Sequence, residues 1–146
     1  MSQEIRNLEP KALWNKFADL NAVPRPSKKE DRVIEFMKNF GNQLGLETFE
    51  DDIRNVIIRK PATPGMENRK TVVLQGHLDI VNQKNADTNF DFDQQGIDMY
   101  VDGDWVRAKG TTLGADNGLG VAAIMAILES KDIPHPAIDA LFTIDE

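Results

Sequence analysis

A chain of 146 residues, 40% hydrophobic and 28% charged, is one domain's worth of material and is long enough to bury a core. Its 24 acidic against 17 basic residues leave a net charge of -7, the wrong sign for a nucleic-acid binder. No apolar run approaches the ~20 residues of a membrane span, and the stretch Met1-Ser2-Gln3-Glu4-Ile5-Arg6 lacks a secretory pattern. The absence of cysteine excludes disulfides, thiol nucleophiles and Cys-type zinc sites, and fits a reducing, cytoplasmic setting.

Pro10 is placed to open a helix, with Leu13, Phe17 and Leu20 recurring at helical spacing. The run Ala22-Val23-Pro24-Arg25-Pro26 breaks it. Ser27-Lys28-Lys29-Glu30 has the form of a capping box opening a second helix, whose inner face is Val33, Met37, Phe40 and Leu44 and whose stop is Gly45. Residues 46–50 and 55–59 read as two strands around an Asp51-Asp52 turn. Residues 61–70 form a loop, and the short apolar run at 71–75 reads as a central strand.

Residues 82–98 are polar and aperiodic, a long loop of the kind that often carries function. Tyr100-Val101 and Trp105-Val106 flank Asp102-Gly103 as a hairpin would, and residues 118–128 read as a helix with a small-residue start. Residues 137–144 are β-branched, aromatic and nearly uncharged, a strand of a buried sheet. Such a strand followed at once by Asp145-Glu146 suggests a truncated polypeptide. Strands alternating with helices make the expected class α/β, a mixed sheet flanked by helices with active groups at strand ends.

Three motifs carry possible chemistry. In Gly76-His77-Leu78-Asp79, residues i and i+2 share a face of an extended chain, so Asp79 can orient the His77 imidazole as a ligand. A solvated loop histidine is the bland alternative. In Gly110-Thr111-Thr112-Leu113-Gly114-Ala115-Asp116-Asn117-Gly118, Asp116 is either a helix cap or a carboxylate shared between cations. Glu146, at a strand end, is either an exposed acid or a general base.

Two decoys stand beside them. Gly118, Gly120 and Ala123 match a dinucleotide-binding fingerprint, but the polar stretch 109–117 stands where an apolar strand should. The acidic run 91–102 mimics a calcium loop, without its bidentate glutamate. His135, between Pro134 and Pro136, reads as a surface turn residue.

Taken in order, Gln75-Gly76-His77-Leu78-Asp79-Ile80-Val81, the glycine-rich run 110–118 and Thr143-Ile144-Asp145-Glu146 resemble the M20-type zinc aminopeptidases and dipeptidases. The Gly-Thr-Thr-Leu-Gly-Ala-Asp-Asn-Gly form and the stretch 60–70 are similar to the branch acting on aminoacyl-histidine dipeptides. The resemblance implies that residues 1–146 are the N-terminal portion of the catalytic domain, with a lid domain and C-terminal part lying outside them. It further implies that His77 is a zinc ligand, Asp79 the catalytic aspartate tied to it, and Asp116 the carboxylate bridging two zinc ions and followed by a cis peptide bond. Glu146 would be the general base. The family often has proline where Asn82 stands. The implied reaction is hydrolysis of dipeptides with C-terminal histidine, β-alanyl-histidine included, by a zinc-activated water. The implied partners are a small peptide substrate and a second copy of the chain, with no nucleic acid and no membrane. The 146 residues alone carry too few donors for activity.

Overall fold

A computed structural model of the chain describes residues 3–146. Met1 and Ser2, part of the stretch read for a secretory pattern, lie outside the described residues. The elements run α1 (Gln3–Arg6), α2 (Lys11–Asn21), α3 (Asp31–Gln43), β1 (Glu47–Glu50), β2 (Val56–Lys60), β3 (Val72–His77), β4 (Met99–Asp102), β5 (Trp105–Ala108), α4 (Ala115–Glu129) and β6 (Ile138–Thr143). None of these helices is long and apolar enough to cross a membrane.

The principal sheet has the order β1-β2-β6-β3, antiparallel from β1 through β6 and parallel between β6 and β3. It is therefore mixed, as expected of an α/β chain. Alternation along β6 sends Ile138, Ala140 and Phe142 to one face, where they are buried. Val56 and Ile58 of β2 join them, and α3 and α4 cover that face with Val33, Ile34, Met37 and Phe40 and with Val121, Ile124, Met125 and Leu128. A second cluster lies behind α4, where Phe17 and Ala18 of α2 meet Ala122, Ile80, Ile97 and Met99.

β3 departs from its expected place. It is an edge strand, and Val72 and Val73 are 41% and 60% exposed. A uniformly apolar run mimics a strand buried on both faces, but these two valines, which point to opposite faces, are both left open at the start of an edge strand. The hairpin turns one residue later than expected: Asp102 still pairs with Trp105, so Gly103 and Asp104 form the loop, with Gly103 at a φ of +60°. Pro10 lies just before the first helical residue of α2 instead of within the helix.

Two further readings are corrected. Ser27 and Glu30 form no capping box: α3 starts at Asp31 with no side-chain cap, and both residues are drawn toward distant partners. His135 is not on the surface but 5% exposed; its N–H donates to Thr63 Oγ1 at 2.9 Å and its Nδ1 faces the Pro136 carbonyl at 2.7 Å. The loop over residues 82–98 contains only an isolated bridge, Lys84 to Thr111. In its acidic part Asp91 closes a local turn by accepting the N–H of Asp93. Ahead of α4 runs loop instead of strand, since β5 ends at Ala108, so Gly118 lacks the strand–turn–helix setting of a dinucleotide site.

Candidate metal centre

β3 delivers its last residue, His77, to the C-terminal edge of the sheet, and the chain continues extended through Asp79. α4 approaches the same edge because Gly76 has no side chain: a Cβ there would meet Val121 Cγ2 at 3.0 Å. The start of α4 is irregular. Asp116 and Asn117 have non-helical angles, and the peptide bond between them is cis, as the resemblance implied. Gly114, at a φ of +77°, precedes them, and the Asp116 side chain is 98% exposed.

His77 and Asp116 meet. The Nε2 atom of His77 lies 3.1 Å from Asp116 Oδ1. On the ring's other side Nδ1 lies 2.9 Å from the Asp79 carbonyl, which can only accept, so Nδ1 carries a proton and donates it. The orienting group is thus first the backbone carbonyl of Asp79. Its carboxylate stands further off, with Oδ1 at 3.4 Å from Nδ1.

That carboxylate is 2% exposed and is held from two sides. Ser27 Oγ donates to its Oδ2 at 2.5 Å, and the Glu146 N–H approaches both oxygens at 3.3 Å. Next to Glu146, the Asp145 N–H donates to Glu30 Oε1 at 2.9 Å. All four expected site residues, His77, Asp79, Asp116 and Glu146, are therefore gathered at one edge of the sheet. Ser27, Glu30 and Arg25 were not expected there. Ser27 and Glu30 looked like a helix cap, and Arg25 looked like part of a helix break.

Burial is the largest single influence on the His77 imidazole and acts to lower its pKa. The hydrogen bond to Asp116, the Asp79 carbonyl and the charges of Asp79 and Glu146 outweigh it, so His77 sits above its ordinary value. A protonated ring donates at both nitrogens, which is what an acceptor-only carboxylate at Nε2 calls for. Because the folded state holds this proton more tightly than the unfolded chain, its contribution to stability is complete below the ordinary value of 6.5. It is lost as pH rises through the raised one. Asp116→Asn in the metal-free protein is expected to lower the His77 pKa, read from its ring proton shifts between pH 5 and 9. An unchanged titration would show that the contact is absent in solution.

The position now bridged by a proton is one where an imidazole lone pair and a carboxylate oxygen point at the same spot. Two donors held at a common cation would be separated by about 3.3 Å for tetrahedral zinc, close to the separation found. The residues thus suit a metal as a pair. No group of three or more His, Asp or Glu side chains placed to hold a metal occurs among the described residues. Beside the pair opens a shallow cleft of about 340 Å³, lined by Ile80, Val81, Leu113, Gly114, Ala115 and Asp116.

No protein-family model matches the chain. It is 46% identical to the cytosol non-specific dipeptidase of Escherichia coli strain K12 over 143 residues, 98% of this chain and 30% of that protein. Its backbone superposes on the crystal structure of aminoacylhistidine dipeptidase from Vibrio alginolyticus with a TM-score of 0.96 and 51% identity, over 99% of this chain and 29% of that one. Aminopeptidase PepT from Bacillus cereus ATCC 10987 matches with a TM-score of 0.73 and 26% identity, over 93% of this chain and 36% of its own. A tripeptidase from Staphylococcus aureus Mu50, at 23% identity and a TM-score of 0.74 over the same share of each chain, shares the fold. The chain spans less than a third of the two dipeptidases. In sequence and in backbone it is homologous to one segment of these two dipeptidases, and its mixed α/β fold is the fold of that segment.

Proposed function

We propose that this chain supplies part of the active site of a cytosolic, zinc-dependent dipeptidase acting on dipeptides with C-terminal histidine, β-alanyl-histidine among them. The observation that carries this reading is the 3.1 Å approach of His77 Nε2 to Asp116 Oδ1, with the other ring nitrogen already committed to Asp79. Homology to two dipeptidases supports the reaction class.

His77 and Asp116 would hold the metal, Asp116 as the carboxylate shared by two ions. When bound, zinc supplies Lewis-acid charge that acidifies water and polarises a carbonyl. Asp79 does its work from behind. Its carbonyl fixes the His77 tautomer so that the Nε2 lone pair faces outward, and its buried negative charge makes that lone pair more basic. Glu146, whose N–H rests on the Asp79 carboxylate, takes a proton from the attacking water onto its own carboxylate and returns it to the leaving amine. The cleft beside Asp116, walled by Ile80, Val81 and Leu113, is of a size to take a small peptide's side chain.

The test is metal dependence. In a full-length protein that carries this segment, a chelator should abolish hydrolysis of β-alanyl-histidine, and zinc should restore it. Hydrolysis indifferent to chelation would overturn the reading, and tight NAD binding by calorimetry would favour the glycine-rich fingerprint at Gly118, Gly120 and Ala123 instead.

A further inference from the structure

Among the described residues Arg25 is the largest fully buried side chain, at 1% exposed. Burying a guanidinium is costly without a carboxylate against it, yet the partners it bonds are all neutral. Nη1 donates to the Leu78 carbonyl at 2.8 Å; Nη2 donates to Asn21 Oδ1 at 2.6 Å and to the Gly114 carbonyl at 3.1 Å. Among the described residues its Nε has no hydrogen-bond partner. Burial depresses its pKa to about 10, with the Asp79 charge opposing that fall only in part.

The two carbonyls are what matter. Leu78 lies between His77 and Asp79, and Gly114 lies two residues before Asp116, so one planar fork joins the segment bearing the imidazole to the loop bearing the carboxylate. Asn21 extends the tie, since its Nδ2 donates to the Leu113 carbonyl at 3.0 Å. The Arg25 backbone also accepts from the Ile80 N–H at 3.0 Å. The fit around the fork is close: a Cβ on Gly114 or Gly118 would stand 2.9 Å or 2.7 Å from Nη2.

We propose that Arg25 is a positioning residue that sets the separation of His77 Nε2 and the Asp116 carboxylate. The proposal rests on the metal-site reading for its consequence, but not for its geometry. A lysine cannot reproduce the fork, because one ammonium on a flexible stem does not present the rigid pair of donors that spans both carbonyls.

The experiment compares wild type, Arg25→Lys, Arg25→Gln and Asp116→Ala by the 15N shifts of the His77 ring, in metal-free protein. Both Arg25 variants are expected to move the ring shifts toward those of Asp116→Ala and to weaken zinc binding by about 10–100-fold, the usual effect of disturbing a ligand's supporting contacts. Leu128→Ala, in the core away from the site, should lower the melting temperature while leaving the ring shifts in place. Wild-type shifts in either folded Arg25 variant would overturn the proposal, as would equal displacement in Leu128→Ala. Failure of the metal reading looks different: zinc would then leave the wild-type ring shifts unmoved, while the Arg25 comparison would stand.

Discussion

Glu146→Gln in the zinc-loaded full-length protein is expected to lower peptide turnover by about 10²–10⁴ while leaving metal content near wild type, because a positioned base contributes that much and an amide cannot accept the proton. The geometry makes the two effects separable. Glu146 is anchored through its backbone N–H on the Asp79 carboxylate, and that bond survives the substitution, so neither His77 nor Asp116 need move. Asp116→Ala should behave in the opposite way and lose metal, since it removes one of the two converging donors. Turnover at the wild-type rate in Glu146→Gln would sink the base assignment; loss of zinc in that variant would instead make Glu146 a ligand.

The largest expected effect on stability lies at Phe142. It is fully buried on β6, where it pairs with Val56 on one side and Gly76 on the other, and it faces the helices of the main core. Phe142→Ala should cost about 3–5 kcal/mol, from lost transfer energy and an unfilled cavity. Against a total of about 5–15 kcal/mol for a typical domain, that is enough to populate the unfolded state. Urea denaturation measures it; a loss under about 1 kcal/mol would mean the site collapses around the alanine or that β6 is not central.

Much of the site was legible because its parts follow local grammar. His77 and Asp79 sit two apart on an extended segment, and Asp116 sits in a glycine-dense turn ahead of a helix, so each declares its setting within a few residues. The second ring of contacts was not legible, and the reason is physical. Ser27-Lys28-Lys29-Glu30 satisfies a helix-capping pattern, but the Ser27 hydroxyl goes instead to a buried carboxylate 52 residues away. No local pattern carries that competition. Arg25 lies between two prolines, where the local pattern is that of a break, while its partners come from three separate stretches of chain. In the fold, the β-branched and aromatic composition of residues 137–144 marks the inner strand β6, whereas the apolar run of β3 carries no sign that it lies at the edge of the sheet.

The position of β6 has a consequence for how this chain is made. It follows the other described strands in sequence, yet it lies inside the sheet with β2 on one flank and β3 on the other. Val56 waits for Phe142 and Val72 for Ile138, partners separated by most of the middle of the chain. During synthesis α3 and the β1–β2 hairpin can form from neighbours alone, but β2 and β3 have no sheet to share until β6 has left the ribosome. Only then can the segment bearing His77 and Asp79 be fixed against the backbone of residues 143 to 146. Synthesis of residues 138 to 146 therefore delivers the seam of this sheet and the backbone that meets Asp79 together, and until then the apolar face of β2 needs shelter from aggregation.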